Sequence, residues 1–69
     1  MFELDGKTIR GLLLEKQMTI RALAQKAAIT EVTAARLSRD GARANARTTS
    51  KLAFALDVDP KLILKEEVN

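Results

Sequence analysis

The sequence predicts an all-α fold, a compact bundle of five short helices that forms a single domain over residues 1–69. Three observations support this prediction. The chain has 69 residues, which suffices for one small hydrophobic core. Its hydrophobic residues make up 46% of the chain but include only two aromatics, a composition that suits closely packed helices better than a β-sandwich. Apolar residues also recur at helical spacing between capping residues.

The first half of the chain reads as three helices. Residues 6–17 form the first, with Leu14 off its apolar face and therefore either exposed or packed by a neighbouring segment. Thr19 is a good N-cap for the second helix, which ends near Ala28. Thr30 caps a third helix over residues 31–39. The residues expected to face inward are Ile9, Leu12, Leu13, Ile20, Leu23, Ala24, Ala27, Ala34 and Leu37.

The second half predicts two more helices. Gly41 is expected to stop the third helix, and residues 42–47 form a connection with room for a helical turn. Thr48 or Thr49 starts the fourth helix, and Asp59-Pro60 starts the fifth. The fourth helix turns Leu52, Ala53 and Leu56 inward. Leu62, Ile63, Leu64 and Val68 are expected mostly in the core, although three adjacent apolar residues cannot all face it.

The positive charge is concentrated in one segment. The chain carries 12 Lys and Arg against 9 Asp and Glu, a net charge of +3. Residues 36–51 contain five cations and a single acid, so this segment alone carries all of the excess positive charge. Such clustering is typical of an electrostatic footprint for nucleic acid, although a cationic series is also compatible with a solvated helix face.

Composition also excludes several classes of function. Without Cys or His the chain has no disulfide, thiolate nucleophile, imidazole base or usual zinc ligand set, so we expect no enzyme, metal, cofactor or small-molecule substrate. Two aromatics make no stacking platform for single-stranded nucleic acid. The acidic N-terminus is unlike a signal peptide, and no apolar run approaches the length of a membrane span. We therefore expect a cytoplasmic protein with no membrane partner.

The most informative segment is residues 19–39. Two helices of about nine residues meet there across a turn too short for antiparallel packing. They must cross steeply, which is the helix-turn-helix arrangement, and the small Ala24 lies where the two helices would press together. The outer face of the second of these helices is basic.

These residues resemble the lambdoid phage Cro and repressor type of helix-turn-helix protein, the xenobiotic-response-element family of bacterial and phage regulators. The motif core reads LAQKAAIT at 23–30, and the later helices read AFALDVD at 53–59 and LIL at 62–64. Ile9-Arg10 resembles the first helix of the family. The resemblance covers residues 6–65 and implies a double-stranded DNA-binding transcriptional regulator, in particular a repressor, whose third helix lies in the major groove.

The resemblance also implies roles by position. Residues at the positions from which family members touch base edges are Glu31, Val32, Thr33 and Arg36. Residues at positions that contact the DNA backbone are Thr19, Arg21, Arg39, Arg43 and Arg47. Charge adds Lys51 to this second group.

Side-chain chemistry supports several of these roles. Arg36 can pair with guanine through two hydrogen bonds, and Val32 can meet a thymine methyl. Glu31 either accepts from cytosine N4 or only favours the positive end of its own helix. Val32 belongs to the core instead if the third helix is rotated.

The chain departs from the family pattern at a few positions. Ala28 replaces the usual glycine of the turn, where a left-handed alanine costs about 1–2 kcal/mol, so distortion of the turn is expected. Ser38 stands where the family often has Glu, Leu13 where Arg is commoner, and Thr49 where Leu is commoner. These departures concern the path of residues 38–48 more than the fold.

The sequence supports two hypotheses about protein partners. A homodimer is expected, because one recognition helix reads only a few base pairs. Candidate pairing surfaces are Phe2 and Leu4 at the N-terminus and the fifth helix. The alternative function is a helical protein-interaction module, such as an antitoxin-like or assembly adaptor protein, suggested by the extra apolar residues Leu13, Leu14 and 62–64.

Overall fold

The structure, a computed structural model, describes residues 1–65. In this part of the chain five helices enclose one core, and two short strands pair beside them. The helices are α1 (Gly6–Glu15), α2 (Ile20–Ala27), α3 (Glu31–Leu37), α4 (Ala46–Leu56) and α5 (Pro60–Ile63). The strands are β1 (Phe2–Glu3) and β2 (Arg43–Ala44). The predicted bundle of five short helices is confirmed, and the small sheet is a feature that the sequence analysis did not predict.

Local hydrogen bonds start the helices where the sequence placed their caps. The hydroxyls of Thr19 and Thr30 each accept from the backbone N–H three residues later, at 3.0 and 3.1 Å. The carboxylate of Asp59 accepts from a backbone N–H two residues later at 2.9 Å, and Pro60 occupies the first helical position. Each cap satisfies a donor that the first turn of a helix leaves without a partner.

The first helix begins at a cap that the sequence analysis did not single out. Asp5 precedes α1, and its carboxylate accepts from the backbone N–H of Thr8 at 3.1 Å. This hydrogen bond to the ionised form holds the pKa of Asp5 below its ordinary value of 3.8. The helix ends at Glu15, two residues before its predicted end, and the left-handed Gln17 then redirects the chain toward α2.

The third helix is shorter than predicted. It ends at Leu37 rather than at Arg39, because the backbone leaves the helix at Ser38, whose buried hydroxyl donates to the Ala34 carbonyl at 2.9 Å. Gly41 does adopt a left-handed conformation with φ of +79°, but it lies in the following turn and does not stop the helix.

The predicted start of the fourth helix at Thr48 or Thr49 is wrong. Asn45 is the N-cap, and its side-chain oxygen accepts from the Thr48 N–H at 2.8 Å. Thr49 is already inside α4 and buried, with its hydroxyl donating to the Asn45 carbonyl at 2.8 Å. Asparagine before an alanine was therefore the stronger start signal, since Asn caps at least as well as Thr.

Part of the predicted connection is a strand. In β2, Ala44 pairs with Phe2 and Arg43 pairs with Glu3 in antiparallel register. Leu4 extends the contact on both sides, because its N–H donates to the Ala42 carbonyl at 2.8 Å and it forms an isolated bridge with Leu64. The N-terminal segment thus lies between the α3–α4 connection and the end of α5, and holds both in place.

The core is aliphatic, as predicted. Its fully buried large side chains come from every helix and from the N-terminal segment: Leu4, Ile9, Leu23, Leu37, Leu52, Leu56 and Ile63. Leu12 and Ile20, expected inward, are only partly buried against this core. Leu14 is exposed, which decides between its two predicted placements. Leu62 is exposed and Leu64 partly buried, whereas Val68 lies outside the described residues.

Candidate nucleic-acid interface

The turn between α2 and α3 has regular geometry despite its missing glycine. Ala28 adopts the left-handed conformation with φ 58° and ψ 45°. The N–H of Ile29 donates to the Ala24 carbonyl at 3.0 Å, and the N–H of Ala28 donates to the Gln25 carbonyl at 3.3 Å. This is the usual pattern that closes a helix at a left-handed residue. The expectation of a distorted turn is therefore wrong, since Ala28 adopts the glycine conformation instead of deforming the motif.

The orientation of α3 is set by two fully buried side chains. Ala34 and Leu37 face the core with no exposed surface, while Val32 on the opposite side is 81% exposed. Since successive residues of a helix are separated by about 100°, Val32, Ala35 and Arg36 share the outward face. The alternative in which Val32 belongs to the core is excluded by this orientation.

Glu31 and Thr33 flank that outward face. Glu31 is exposed in the first turn of α3, where a carboxylate also favours the positive helix end. Thr33 is partly buried, and its hydroxyl accepts from the Thr30 hydroxyl at 2.9 Å. Thr33 is therefore held by the cap of its own helix and is less free to reach outward than its neighbours.

Arg36 lies between the helix and the small sheet. Its side chain is exposed, and Nη1 donates to the backbone carbonyl of Arg43 at 3.4 Å. This single long hydrogen bond leaves the other guanidinium donors available to a ligand. The contact also brings Arg36 and Arg43, seven positions apart with Ser38 and Gly41 between them, to the same edge of the molecule.

The backbone around Arg39 is held by α1. A Cβ at Gly6 would lie 2.5 Å from the Arg39 carbonyl carbon, so the start of α1 packs directly on this peptide. Arg10 donates to the Ser38 carbonyl at 2.9 Å and forms an exposed ion pair with Asp40 at 3.5 Å. The Arg39 side chain is exposed beyond this fixed segment. The position of Arg39 therefore depends on Gly6 and Arg10 of α1, a helix to which the sequence assigned no functional residue.

Arg43 is exposed in β2, opposite Glu3 across the strand pair. Glu3 forms an ion pair with Lys65 at 3.2 Å, and the strand register places it opposite Arg43. Opposite charges directly across a strand pair attract each other modestly. Arg43 is therefore steadied by the sheet while its side chain remains open to solvent.

The remaining backbone candidates lie at the starts of α2 and α4. Thr19 is the exposed N-cap of α2, and Arg21 is exposed in the first turn of that helix. Arg47 is exposed in the first turn of α4, and Lys51 is partly buried one turn later. Both α4 cations line a depression that also includes Lys26 of α2. The structure thus joins Arg36 with Arg43 and Arg47 with Lys51, and places Thr19 on a different depression beside Leu14 and Ser38.

Sequence reasoning missed three residues that shape this surface. Lys26 adds a cation beside Arg47 and Lys51. It lies in α2, outside the basic segment of residues 36–51, so the charge pattern along the sequence did not group it with them. Arg10 fixes the end of α3, a contact over 28 positions that no local pattern announces. Asn45 caps α4, and its residue type was a readable signal.

Comparison with known proteins agrees with this geometry. The profile of the Cro/C1-type HTH DNA-binding domain matches residues 8–66. Among solved structures, the crystal structure of the restriction-modification controller protein C.AhdI from Aeromonas hydrophila superposes with a TM-score of 0.76. The two sequences are 24% identical, and the match covers 83% of this chain and 86% of that chain. No curated protein sequence matches the chain.

The chain belongs to the Cro/C1-type helix-turn-helix DNA-binding family, because the family profile matches most of its length. The family membership confirms the predicted resemblance, the fold and the predicted class of function, a DNA-binding transcriptional regulator. It favours that function over the alternative of a dedicated protein-interaction module. Every helix in the described residues is too short or too polar to cross a lipid bilayer.

Proposed function

We propose that the chain is a sequence-specific regulator of transcription that inserts α3 into the major groove of double-stranded DNA. The outward face of α3 carries this proposal, because Val32 is 81% exposed on a helix whose opposite side is fully buried. Because Ala34 and Leu37 are fully buried on the other side of α3, Val32 contributes to the outer surface and not to the core. The major groove is wide enough to admit such a helix.

Four side chains of α3 are assigned to base reading. Arg36 pairs with the O6 and N7 of guanine, and Val32 covers a thymine methyl. Glu31 accepts a hydrogen bond from cytosine N4. Thr33 also contacts a base, but the hydrogen bond between its hydroxyl and that of Thr30 limits how far its side chain can reach. The partly buried Ala35 between them is small, which allows α3 to approach the bases closely.

Six residues are assigned to the DNA backbone. They are Thr19, Arg21, Arg39, Arg43, Arg47 and Lys51, which lie at the start of α2, between α3 and α4, and on α4. Contacts of this kind orient a protein on the duplex without reading its sequence. The net charge of +4 over residues 36–51 supports the assignment.

Two copies are proposed to bind a two-fold symmetric site, and binding would repress transcription where the site overlaps a promoter. A dimer doubles the number of base pairs read and fixes the half-site spacing. Leu4 is fully buried and cannot contribute to the pairing surface, whereas Phe2 and Leu62 remain exposed candidates. The proposal places the single domain of residues 1–69 in a bacterial or phage-infected cytoplasm, and it requires no cofactor, metal, catalysis or small-molecule substrate.

Selection from a randomised duplex-DNA pool tests the proposal. An enriched motif with two-fold symmetry is expected, since each α3 would read one half-site. Five assigned backbone cations per copy predict that affinity falls with salt with a logarithmic slope of about −4.5 for a monomer or about −9 for a dimer. Survivors without any shared motif, or an affinity that barely responds to salt, would contradict sequence-specific binding.

A further inference from the structure

Phe54 lies on the surface of α4 and is 83% exposed. The other face of α4 supplies Leu52, Ala53 and Leu56 to the core, so Phe54 plays no part in the packing of the domain. Burying a phenylalanine side chain is favourable by about 1.5–3 kcal/mol, which makes this exposure an unused source of binding energy. Exposed aromatic side chains are enriched where proteins contact partners.

Phe54 stands beside a depression of about 600 Å³ between α4 and the C-terminal end of α2. Arg47, Ser50, Lys51 and Phe54 follow one another at helical spacing, so they form a single stripe along α4. The small residues Ala27 and Ala28 close the depression on the α2 side. We call this depression and its lining the Phe54 surface.

The Phe54 surface is uniformly positive. Lys26, Arg47 and Lys51 line it, and no acidic residue does. The two ion pairs among the described residues, Arg10–Asp40 and Lys65–Glu3, involve none of these three cations. Clustered charges of one sign raise the local potential and attract a ligand of the opposite sign.

We propose that the Phe54 surface docks an acidic segment of a partner protein that presents an apolar side chain among its carboxylates. The apolar group would cover Phe54, and the carboxylates would pair with Lys26, Arg47 and Lys51. An amphipathic helix laid into a groove supplies both features from one face. Such a segment therefore matches the surface twice, with its apolar side chain at Phe54 and its carboxylates at the three cations.

Three other occupants fit the whole of the Phe54 surface less well. A second copy of the chain, paired face to face, would bring three cations of each copy together without a counter-charge. Single-stranded nucleic acid stacks successive bases on several aromatics, whereas the Phe54 surface offers one. A duplex backbone neutralises the cations but presents charged phosphates rather than an apolar group at Phe54.

Docking has a consequence for DNA binding, and this consequence rests on the proposed function. Arg47 and Lys51 are assigned there to phosphates, so an acidic segment on the Phe54 surface would occupy two of the same cations. The partner and the operator would then exclude each other. Phe54 itself contributes only to the partner, which separates the two activities by mutation.

The test uses a short fluorescein-labelled helical peptide whose one face carries glutamates around a central leucine. Fluorescence anisotropy is measured with the wild-type chain, with Phe54→Ala and with Lys26→Glu. Wild type is expected to bind, Phe54→Ala to bind about tenfold more weakly, and Lys26→Glu to lose affinity most at low salt. The matched control is Leu14→Ala, which removes an equally exposed apolar side chain from α1 and should leave the affinity unchanged.

Several results would overturn the docking proposal. They are no peptide binding by wild type, equal affinity for Phe54→Ala, or equal affinity for a peptide with alanine in place of leucine. A single-stranded oligonucleotide bound through Phe54 while the peptide is not would assign the surface to nucleic acid. Loss of a dimer in Phe54→Ala would assign it to a second copy. Duplex DNA binding is measured separately, and its absence would remove only the predicted competition. Unchanged duplex affinity in Phe54→Ala would support the separation of the two activities, with Phe54 contributing only to the partner.

Discussion

The guanidinium of Arg10 donates to the backbone carbonyl of Ser38 at 2.9 Å and so ties α1 to the residue that ends α3. Leu13 and Ser38, two positions where the family more often has Arg and Glu, line the same depression. The two departures from the family pattern therefore meet in space. Arg10, nearly one turn before Leu13, supplies the cation that reaches the end of α3 in this chain.

Replacing Arg10 should weaken DNA binding by displacing the backbone that carries Arg39. For Arg10→Met we expect several-fold lower affinity for all sequences and about 1 kcal/mol lower stability, from loss of a charge-assisted hydrogen bond. Lys7→Met removes an equal charge from the same helix and is the control. Similar DNA affinities for the two variants in a titration at fixed salt would show that Arg10 contributes only charge.

The packing of Gly6 on Arg39 predicts opposite outcomes for two glycines of one helix. Gly6→Ala should destabilise the fold by about 1–3 kcal/mol, because its Cβ would approach the carbonyl carbon and oxygen of Arg39 within 2.5 and 2.6 Å. Gly11→Ala should stabilise it by about 0.5–1 kcal/mol, since its surroundings are open and alanine favours helix. Urea denaturation measures both. Equal effects would mean that α1 does not rest on the α3–β2 connection.

The left-handed Ala28 predicts a stabilising substitution. Ala28→Gly should raise the free energy of unfolding by about 1 kcal/mol, because glycine adopts φ of 58° without the steric cost that alanine bears. Ala22→Gly, inside α2, should lower it by a similar amount. Thermal unfolding of both variants and of wild type under the same conditions measures these changes in stability. A destabilised Ala28→Gly would mean that the turn is not left-handed in solution.

Arg36→Ala should alter DNA preference at one base position. Loss of a bidentate contact to guanine costs about 1–3 kcal/mol for the cognate site and little for sites without that base. Arg21→Ala, an assigned phosphate contact, should instead weaken binding to all sequences alike. Titrations against single-base variants of the selected site distinguish the two patterns. Uniform weakening by Arg36→Ala would make Arg36 a backbone contact.

Asp5 predicts acid sensitivity at the start of α1. Because the folded state lowers the pKa of Asp5 below 3.8 through the Thr8 N–H, its charge contributes stability above that pH. The contribution disappears as the pH falls through the lowered pKa. Asp5→Asn keeps a good N-cap but does not titrate, so its melting temperature should approach that of wild type in acid. A difference in melting temperature between Asp5→Asn and wild type that stays the same from neutral to acidic pH would contradict the assignment.

Local chemistry determined much of this protein. Thr19, Thr30 and Asp59 cap helices through atoms two or three residues away, so the sequence alone located those starts. Helical periodicity likewise identified Leu23, Ala34 and Leu37 as inward-facing, because one face of each helix must be buried. The helix-turn-helix and its basic segment follow from the same short-range patterns.

Tertiary structure decided the rest. The pairing of Phe2 and Glu3 with Ala44 and Arg43 joins segments about forty residues apart, and neither segment has a strand pattern long enough to read. Burial of Leu4 and the Arg10 contact with Ser38 likewise depend on segments that are far apart in the chain. The sequence thus identified a DNA-binding class, whereas the arrangement of the proposed DNA surface arises only when distant segments pack together.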